Sequence, residues 1–289
     1  MLHRSGACSG LRKCDHHVVA RQRSDRRFAF AGAQFIEACR EPAAIRQLVL
    51  DSVRKESADG FDELIGQVRA RITRWPFYVL IRGLSFDEGN KVFVAINRAF
   101  GELVARPYEK PRAQLVHYVE PSTDLPSVRG GHESERLHTD TADWETPVEL
   151  ISMVCVRADP RGGGRSRALD IDSIRDEVNA CLGTDFLSLL ETEAVPWQLA
   201  PYFGGGVKWR PVLNDSTVCW RRYTIDLEML NALAAFEDVI GRTDRTSDFL
   251  MREGELLFSD NHRTIHARTP ISDLENSSRL MIRSWIRTS

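Results

Sequence analysis

The spacing of hydrophobic residues changes along the chain, from a helical pattern near the N-terminus to strand-length runs further on. Apolar residues three or four positions apart predict helices over residues 41–55 and 61–75, the second of which ends at a proline. Residues 76–84 form a continuous apolar run that predicts a buried strand. A further helix is expected from Ser85, because Ser85 and Glu88 have the spacing of a capping box.

Beyond this helix, short apolar runs predict a strand-rich region. The expected strands cover residues 115–119, 148–156, 195–199, 218–224, 255–259 and 280–286. The proline at position 196 restricts the third of them to a sheet edge. Two stretches with helical spacing, residues 172–190 and 226–240, interrupt the strands. Helices followed by many strands indicate an α+β fold, a barrel or sandwich supported by flanking helices.

Two polar segments differ from this pattern. Residues 1–28 are rich in arginine and have no apolar core, so we expect a poorly ordered basic arm, with residues 29–289 forming a single domain. Residues 121–135 are polar and contain several glycine, proline and serine residues. A segment of this kind beside a site often acts as a mobile lid.

Composition narrows the classes of partner and compartment. The 289 residues carry 39 Lys+Arg against 41 Asp+Glu, a formal net charge of -2, which argues against a nucleic-acid partner bound over the whole surface. No apolar run approaches the roughly 20 residues that a membrane-spanning helix needs. The six cysteines have irregular spacings without a CxxC pair, which favours a reduced, cytoplasmic chain without disulfides.

The segment LHTDTADW holds the first candidate for chemistry. His138 and Asp140 are two positions apart at what the pattern predicts to be a strand end, and residues i and i+2 of a strand point to the same face. An imidazole and a carboxylate would then meet at one point, as two ligands of a metal do. Alone, the pair is a weak signal and is better explained as a surface histidine beside an acid. Trp144 and Glu145 follow closely and are candidates to line a substrate pocket.

The second candidate segment begins at the strand predicted over residues 255–259. A polar turn, His266 and a basic strand follow it. In that strand Arg279 and Arg283 lie on the same side, and Leu280 and Ile282 lie on the other. Arginines that face a protein interior are costly unless they bind anions. The alternative is that both are exposed on an edge strand.

Two histidines and one carboxylate are the ligand set of non-haem Fe(II) oxygenases. Three protein ligands leave three positions of an octahedral iron open, two for a chelating 2-oxo acid and one for O2. A dicarboxylate such as 2-oxoglutarate also needs a cation for its distal carboxylate, and the planar guanidinium of arginine binds a carboxylate through two hydrogen bonds.

At this point the chain resembles the Fe(II)/2-oxoglutarate-dependent oxygenases of the taurine dioxygenase and clavaminate synthase-like family. The segments HTD, DNHRTIH and RLMIR occur in the family's order, and the resemblance covers residues 61–289. It implies a double-stranded β-helix, or jelly roll, with flanking helices. It also implies iron bound by His138, Asp140 and His266, which are then the catalytic residues.

The resemblance assigns further roles. It implies that Arg279 binds the distal carboxylate of 2-oxoglutarate, assisted by Ser166, which follows a glycine pair at the family's GG-x-T/S position. It implies that Arg283 faces an acidic group of the substrate. The stretch over residues 210–240 is closer to the clavaminate synthase and amino-acid hydroxylase branch, whereas an aspartate ligand is closer to the taurine branch.

The expected reaction is oxidation, usually hydroxylation, of an unactivated C–H bond, with release of succinate and CO2. A small amino-acid-like or specialised metabolite, as in antibiotic biosynthesis, is the first substrate class. A sulfonate or other small acid, oxidised for nutrient scavenging, is the second. The alternative of another kind is a non-catalytic jelly-roll sensor that binds a metal. No oligomeric state is predicted.

Overall fold

The computed structural model describes residues 17–19, 60–105, 115–121 and 135–288, with gaps at 85, 87–89, 272, 274 and 275. The helix predicted over residues 41–55, the predicted capping box and most of the polar stretch over residues 121–135 lie outside the described residues. Within the described part, no helix is long and apolar enough to cross a membrane.

The α-helices lie in two groups, one before and one after the middle of the chain. They are α1 (60–72), α2 (Lys91–Arg98), α3 (Ile171–Leu182), α4 (Thr184–Thr192), α5 (Leu227–Ala232) and α6 (Ala234–Arg242).

The strands form three sheets, which we call the main sheet, the small sheet and the hairpin. The main sheet contains β1 (His17–Val19), β2 (Tyr78–Arg82), β3 (Glu102–Val104), β4 (His117–Val119), β5 (Leu150–Arg157), β10 (Leu256–Asp260) and β12 (Leu280–Arg287). The small sheet contains β6 (Ser166–Asp170), β9 (Ser247–Phe249) and β11 (Thr264–Arg268). The hairpin contains β7 (Val195–Gln198) and β8 (Val207–Arg210).

The order of strands is β1-β2-β10-β5-β12-β3 in the main sheet, where β4 also pairs with β12, and β11-β6-β9 in the small sheet. Among the described strands, only the β1–β2 pair is parallel. Helices combined with antiparallel sheets confirm the α+β class predicted from the sequence.

The main sheet buries a different set of side chains on each face. The face toward α1 and α2 is apolar and packs with both helices into one core, with Val79, Ile81, Val154, Leu256, Phe258, Ile282 and Ile286 as its main strand residues. Alternation along β12 therefore directs Arg283 and Trp285 to the opposite face. The expected split of this strand into an arginine side and an apolar side is confirmed.

The small sheet has a second core behind it. Leu169 and Ile265 point away from the main sheet and pack with Ile174 and Val178 of α3 and with Phe236 of α6. Tyr78 of the main sheet and Phe249 of the small sheet stack with ring centroids 5.6 Å apart. The two sheets thus face each other across a space that neither apolar core fills.

Three predicted elements differ from the structure. Gly183, with φ 86°, ends α3, so the single helix expected over residues 172–190 is two helices. A break at Leu233 likewise divides the helix expected over residues 226–240. The strand predicted over residues 218–224 is wrong. Val218 and Trp220 bond instead to the backbones of His262 and Thr139, and residues 222–224 form a 3-10 helix.

Candidate metal centre

His138 and His266 lie opposite each other on adjacent stretches of backbone. His266 belongs to β11, and His138 joins it through an isolated antiparallel bridge in which each N–H donates to the other's carbonyl, at 3.0 and 2.9 Å. Side chains of directly opposed residues emerge on the same face of a sheet. The two rings are consequently neighbours, with centroids 4.6 Å apart.

A tight turn begins at Asp140, directly after the bridge. Thr141 has φ 56°, in the left-handed region that a β-branched residue rarely adopts. Its hydroxyl accepts a hydrogen bond from the N–H of Val148 at 2.9 Å, and its carbonyl accepts one from the N–H of Trp144. The expected strand end is therefore a bridge at His138 followed by a turn that begins at Asp140.

The three side chains form one cluster of ligand atoms. Oδ1 of Asp140 lies 3.7 Å from Nε2 of His138 and 3.8 Å from Nε2 of His266. One ligand atom from each residue lies within 4.8 Å of the other two, which is close enough for a single ion to bind all three. Asp140 is 1% exposed and His138 8% exposed, so the cluster is largely shielded from water.

The protonation states of His266 and Asp140 suit a cation. Burial and the neighbouring His138 lower the pKa of His266 to about 3, so its imidazole is neutral at pH 7. Burial alone would raise the pKa of Asp140, but Arg283 and the two histidines hold this pKa well below its ordinary value. Neutral imidazoles and an ionised carboxylate are the forms in which these groups bind a metal.

The orientation of His138 also fits metal binding. Its Nδ1 lies 2.8 Å from the carbonyl oxygen of Arg136, an acceptor, so Nδ1 carries the proton and donates it. Nε2, on the other side of the ring, lies 3.7 Å from Oδ1 of Asp140 and so faces the cluster. A hydrogen bond of this kind on the far ring nitrogen is the usual support of a metal-bound histidine.

A pocket between the two sheets opens beside the cluster. Residues of both sheets line it, among them Ile151, Met153, Ser166, His138, His266 and Arg279. Its described lining includes four arginines, Arg167, Arg268, Arg279 and Arg283, and no aspartate or glutamate. The pocket therefore combines apolar walls with positive charge, next to two of the candidate metal ligands.

Among the four pocket arginines, Arg279 is deeply buried and has no acidic partner among the described residues. Its side chain makes no ion pair with any described residue, whereas Arg268 pairs with Glu135 at 3.1 Å. Burial, followed by the charge of Arg268, lowers the pKa of Arg279 to about 10, so it stays charged at pH 7. A buried, charged guanidinium at a pocket wall is a binding group for an anion.

The glycine-rich segment before β6 shapes the place of Arg279. Gly164 has φ +63°, and a Cβ atom there would lie 2.7 Å from Nε of Arg279. Ser166 begins β6, lines the same pocket and is paired with Arg268 of β11. The structure thus brings Ser166 and Arg279 together at one pocket, as the resemblance implied.

The three residues predicted to bind substrate have different surroundings. Arg283 lines the pocket, and its Nη1 donates to both oxygens of Asp140, at 3.1 and 2.9 Å. Trp144 is 3% exposed, and its indole N–H donates to the hydroxyl of Tyr202. Glu145 points outward and pairs with Lys208 at 2.9 Å. For all three, contact with substrate stays a prediction.

Two residues that the sequence reasoning did not single out complete the site. Asn261 is fully buried, and its amide accepts from the N–H of Asp140 and donates to the carbonyls of Asp140 and Val148. Trp285 donates its indole N–H to Oδ2 of Asp140 at 2.9 Å. Trp285 lies two positions after Arg283, and the alternation that selected the arginine would have found it.

His117 and His262 lie outside the cluster. Nε2 of His262 lies 3.2 Å from the carbonyl oxygen of Pro147. His117 is buried against Trp285, with ring centroids 4.7 Å apart. His132 lies outside the described residues.

Comparison with known proteins supplies structural neighbours only. No protein-family model and no curated protein matches the chain. An asparagine oxygenase, solved with Fe(II), 2S,3S-3-hydroxyasparagine and succinate, is 19% identical with a TM-score of 0.70 over 94% of both chains. The non-haem iron oxygenase OrfP, solved with (3S)-hydroxy-L-Arg, is 16% identical with a TM-score of 0.64, over 91% of this chain and 94% of that one.

A further neighbour is a putative alpha-ketoglutarate-dependent taurine dioxygenase from Burkholderia xenovorans. It is 17% identical, with a TM-score of 0.58 over 78% of this chain and 84% of that one. The chain has the fold of these oxygenases. In this oxygenase fold, the cluster of His138, Asp140 and His266 lies between the two sheets, at the wall of the arginine-lined pocket.

Proposed function

We propose that the protein is an Fe(II)- and 2-oxoglutarate-dependent dioxygenase that hydroxylates a small, amino-acid-like substrate. The observation that carries this proposal is the buried cluster of His138, Asp140 and His266 at the wall of a pocket that also contains Arg279. Two imidazoles and one carboxylate are a donor set that suits Fe(II) and leaves positions open for other ligands. Arg279 supplies the cation that a dicarboxylate cosubstrate requires.

Each residue has one task in this proposal. His138, Asp140 and His266 hold the iron, which when bound supplies the chemistry that couples O2 and 2-oxoglutarate to oxidation of a C–H bond. Arg279 binds the distal carboxylate of 2-oxoglutarate, and the hydroxyl of Ser166 assists it. The apolar walls around Ile151 and Met153 exclude water from the reacting groups.

Arg283 has two roles in the proposal. In the structure its guanidinium neutralises Asp140. Bound iron would take over part of that neutralisation, which frees Arg283 to turn toward an acidic group of the substrate. Trp144 and Glu145 are proposed as residues that border the substrate.

The fold comparison favours an amino acid over a sulfonate as substrate. The asparagine oxygenase and OrfP cover 94% and 91% of this chain, and both were solved with hydroxylated amino acids. The taurine dioxygenase covers 78%. We further propose that the facing sheets form a double-stranded β-helix within one domain over residues 29–289. A cytoplasmic location and the lack of nucleic-acid and membrane partners stay predictions of the sequence.

The proposal is tested by succinate release. Purified protein with Fe(II), 2-oxoglutarate and O2 is incubated with free amino acids and with sulfonates, and succinate and the hydroxylated product are quantified by mass spectrometry. We expect succinate release to rise with an amino acid and to vanish in Asp140→Ala, which lacks one iron ligand. The control Asp185→Ala removes an exposed carboxylate of α4 and should behave as wild type.

Turnover with sulfonates but not with amino acids would reject the proposed substrate class and support the proposed type of reaction. Turnover that persists in Asp140→Ala would reject the iron site. Iron binding without succinate release for any substrate would favour the metal-binding sensor.

A further inference from the structure

The two oxygens of the Asp140 carboxylate have different neighbours. Oδ1 faces Nε2 of His138 and Nε2 of His266, at 3.7 and 3.8 Å. Oδ2 accepts a hydrogen bond from the indole N–H of Trp285 at 2.9 Å and one from Nη1 of Arg283 at 2.9 Å. Oδ1 is therefore the oxygen that points toward the two histidines. Oδ2 accepts hydrogen bonds from Trp285 and Arg283.

Of these two donors, only Trp285 distinguishes the oxygens. Nη1 of Arg283 also lies 3.1 Å from Oδ1, so its attraction acts on the whole carboxylate. The indole bonds to Oδ2 alone. It also carries a single N–H that only donates and does not titrate, so its bond to a carboxylate oxygen persists at every pH at which Asp140 is ionised.

The indole of Trp285 has little freedom to move. It is 6% exposed, on a strand that pairs with both β4 and β5. Trp144 meets it edge to face, with ring centroids 5.4 Å apart and planes at 78°, and His117 lies on it at 4.7 Å. A donor held this firmly fixes the carboxylate rather than following it.

We propose that Trp285 is a positioning residue that reserves Oδ2 of Asp140 and so restricts this ligand to a single metal bond through Oδ1. The inference rests on the proposed function. A carboxylate that bound iron through both oxygens would take one of the three positions that 2-oxoglutarate and O2 need. Trp285 thereby keeps that position open without contacting the metal or the cosubstrate.

The test compares Trp285→Phe with Trp197→Phe. Both substitutions remove an indole N–H from a buried tryptophan and keep an aromatic ring. Trp197 donates to the backbone carbonyl of Arg210, within the core behind the small sheet and outside the metal cluster, so it reports the general cost of the change. Thermal unfolding of both variants establishes that they are folded.

Co(II) serves as the probe, because its visible absorption reports coordination number. In Trp285→Phe we expect a changed Co(II) spectrum and a dissociation constant for 2-oxoglutarate on the Co(II) protein raised about tenfold, as for other groups that support a metal ligand. With Fe(II), the KM for 2-oxoglutarate should rise by more than kcat falls. Trp197→Phe should match wild type in all three measurements.

A Trp285→Phe protein with wild-type Co(II) spectrum and wild-type 2-oxoglutarate affinity would overturn the inference and leave the proposed function intact. Wild-type protein that binds neither Co(II) nor Fe(II) would instead reject the proposed function. If Trp285→Phe does not fold, the wild-type protein labelled with 13C-aspartate answers the question by infrared difference spectroscopy. A wide separation of the carboxylate stretching bands on metal addition supports one-oxygen binding, and a narrow separation contradicts it.

Discussion

At the scale of single residues, the site depends on groups that hold the ligands as much as on the ligands. The side-chain amide of Asn261 accepts a hydrogen bond from the N–H of Asp140 and donates one to its carbonyl. These two bonds fix the backbone of Asp140. Trp285 and Arg283 fix the carboxylate of Asp140, and the carbonyl of Arg136 fixes the ring of His138. The metal ligands are therefore oriented before a metal arrives, which lowers the cost of binding one.

Asn261→Ala tests this orientation. The substitution leaves the N–H of Asp140 and two buried carbonyls without their partner, so we expect the free energy of unfolding to fall by about 3 kcal/mol. Fe(II) affinity should fall by about tenfold or more. Chemical denaturation and Fe(II) titration measure the two effects.

The control is Asn214→Ala, which removes an exposed amide that accepts from Ser216 and Thr217 in a surface turn. We expect it to cost under about 1 kcal/mol, because water replaces these bonds, and to leave iron affinity unchanged. If Asn261→Ala keeps wild-type iron affinity, the backbone of Asp140 does not depend on this amide.

The sequence predicts ligand residues better than the residues that support them. The combination of His138, Asp140 and His266 carries a chemical signature that spacing and residue type reveal. Asn261 is one amide in a polar turn, and its three bonds reach partners more than a hundred positions away. Hydrogen bonds between residues so far apart in the chain leave no signal in the local sequence pattern, so the structure is needed to find them.

At the scale of elements, the segment before β6 controls the arginine pocket. Gly162 and Gly164 both have positive φ, at +75° and +63°, which a residue with a Cβ adopts only with strain. They differ in what a Cβ would meet. Nothing lies within 4 Å at Gly162, whereas Nε of Arg279 lies 2.7 Å away at Gly164.

Gly164→Ala and Gly162→Ala form a matched pair. Both should lose about 1–2 kcal/mol of stability from backbone strain. Only Gly164→Ala should displace the guanidinium of Arg279, and we expect its KM for 2-oxoglutarate to rise at least about tenfold, since misplacement of a binding group by about 1 Å is costly. Steady-state kinetics with varied 2-oxoglutarate measures the KM of each variant. Equal KM values in the two variants would mean that Arg279 is not the binding group.

The elements themselves were predictable where their pattern was long and regular. The strands now seen as β2, β5 and β10 followed from apolar runs, because both of their faces are buried. The strand β12 followed from the alternation of apolar and polar residues along it. The small sheet was missed, since β6 and β11 carry serine, arginine and histidine toward the pocket. The strand predicted over residues 218–224 was wrong. Its apolar side chains are buried in the core behind the small sheet, which produces a strand-like pattern, but its backbone hydrogen bonds go to loops.

At the scale of the whole molecule, the site lies between two apolar cores, one behind each sheet. Cys155 lies on the same face of β5 as Met153, in a small apolar cluster with Met251 and Met281, at 1% exposure. Cys219 lies in the core behind the small sheet at 9%. Burial raises the pKa of both thiols to about 11. They act as small apolar groups.

Native alkylation tests this packing. Only the thiolate reacts, and with a pKa of about 11 roughly one thiol in a thousand is ionised at pH 8. We expect iodoacetamide to label Cys155 and Cys219 at least about 100-fold more slowly in the native protein than in urea, with the rate rising as the pH approaches 11. Peptide mass spectrometry reads each cysteine separately. Labelling at the urea rate would show that the cores open readily.

The central claim is that one pocket binds Fe(II) and 2-oxoglutarate together, and anaerobic absorption titration tests it most directly. Fe(II) is added to the protein without O2, followed by 2-oxoglutarate. We predict a visible metal-to-ligand charge-transfer band that saturates at one equivalent, is absent in Asp140→Ala, and needs about tenfold or more 2-oxoglutarate in Arg279→Gln. A wild-type protein that gives no such band at saturating Fe(II) and 2-oxoglutarate would contradict the account.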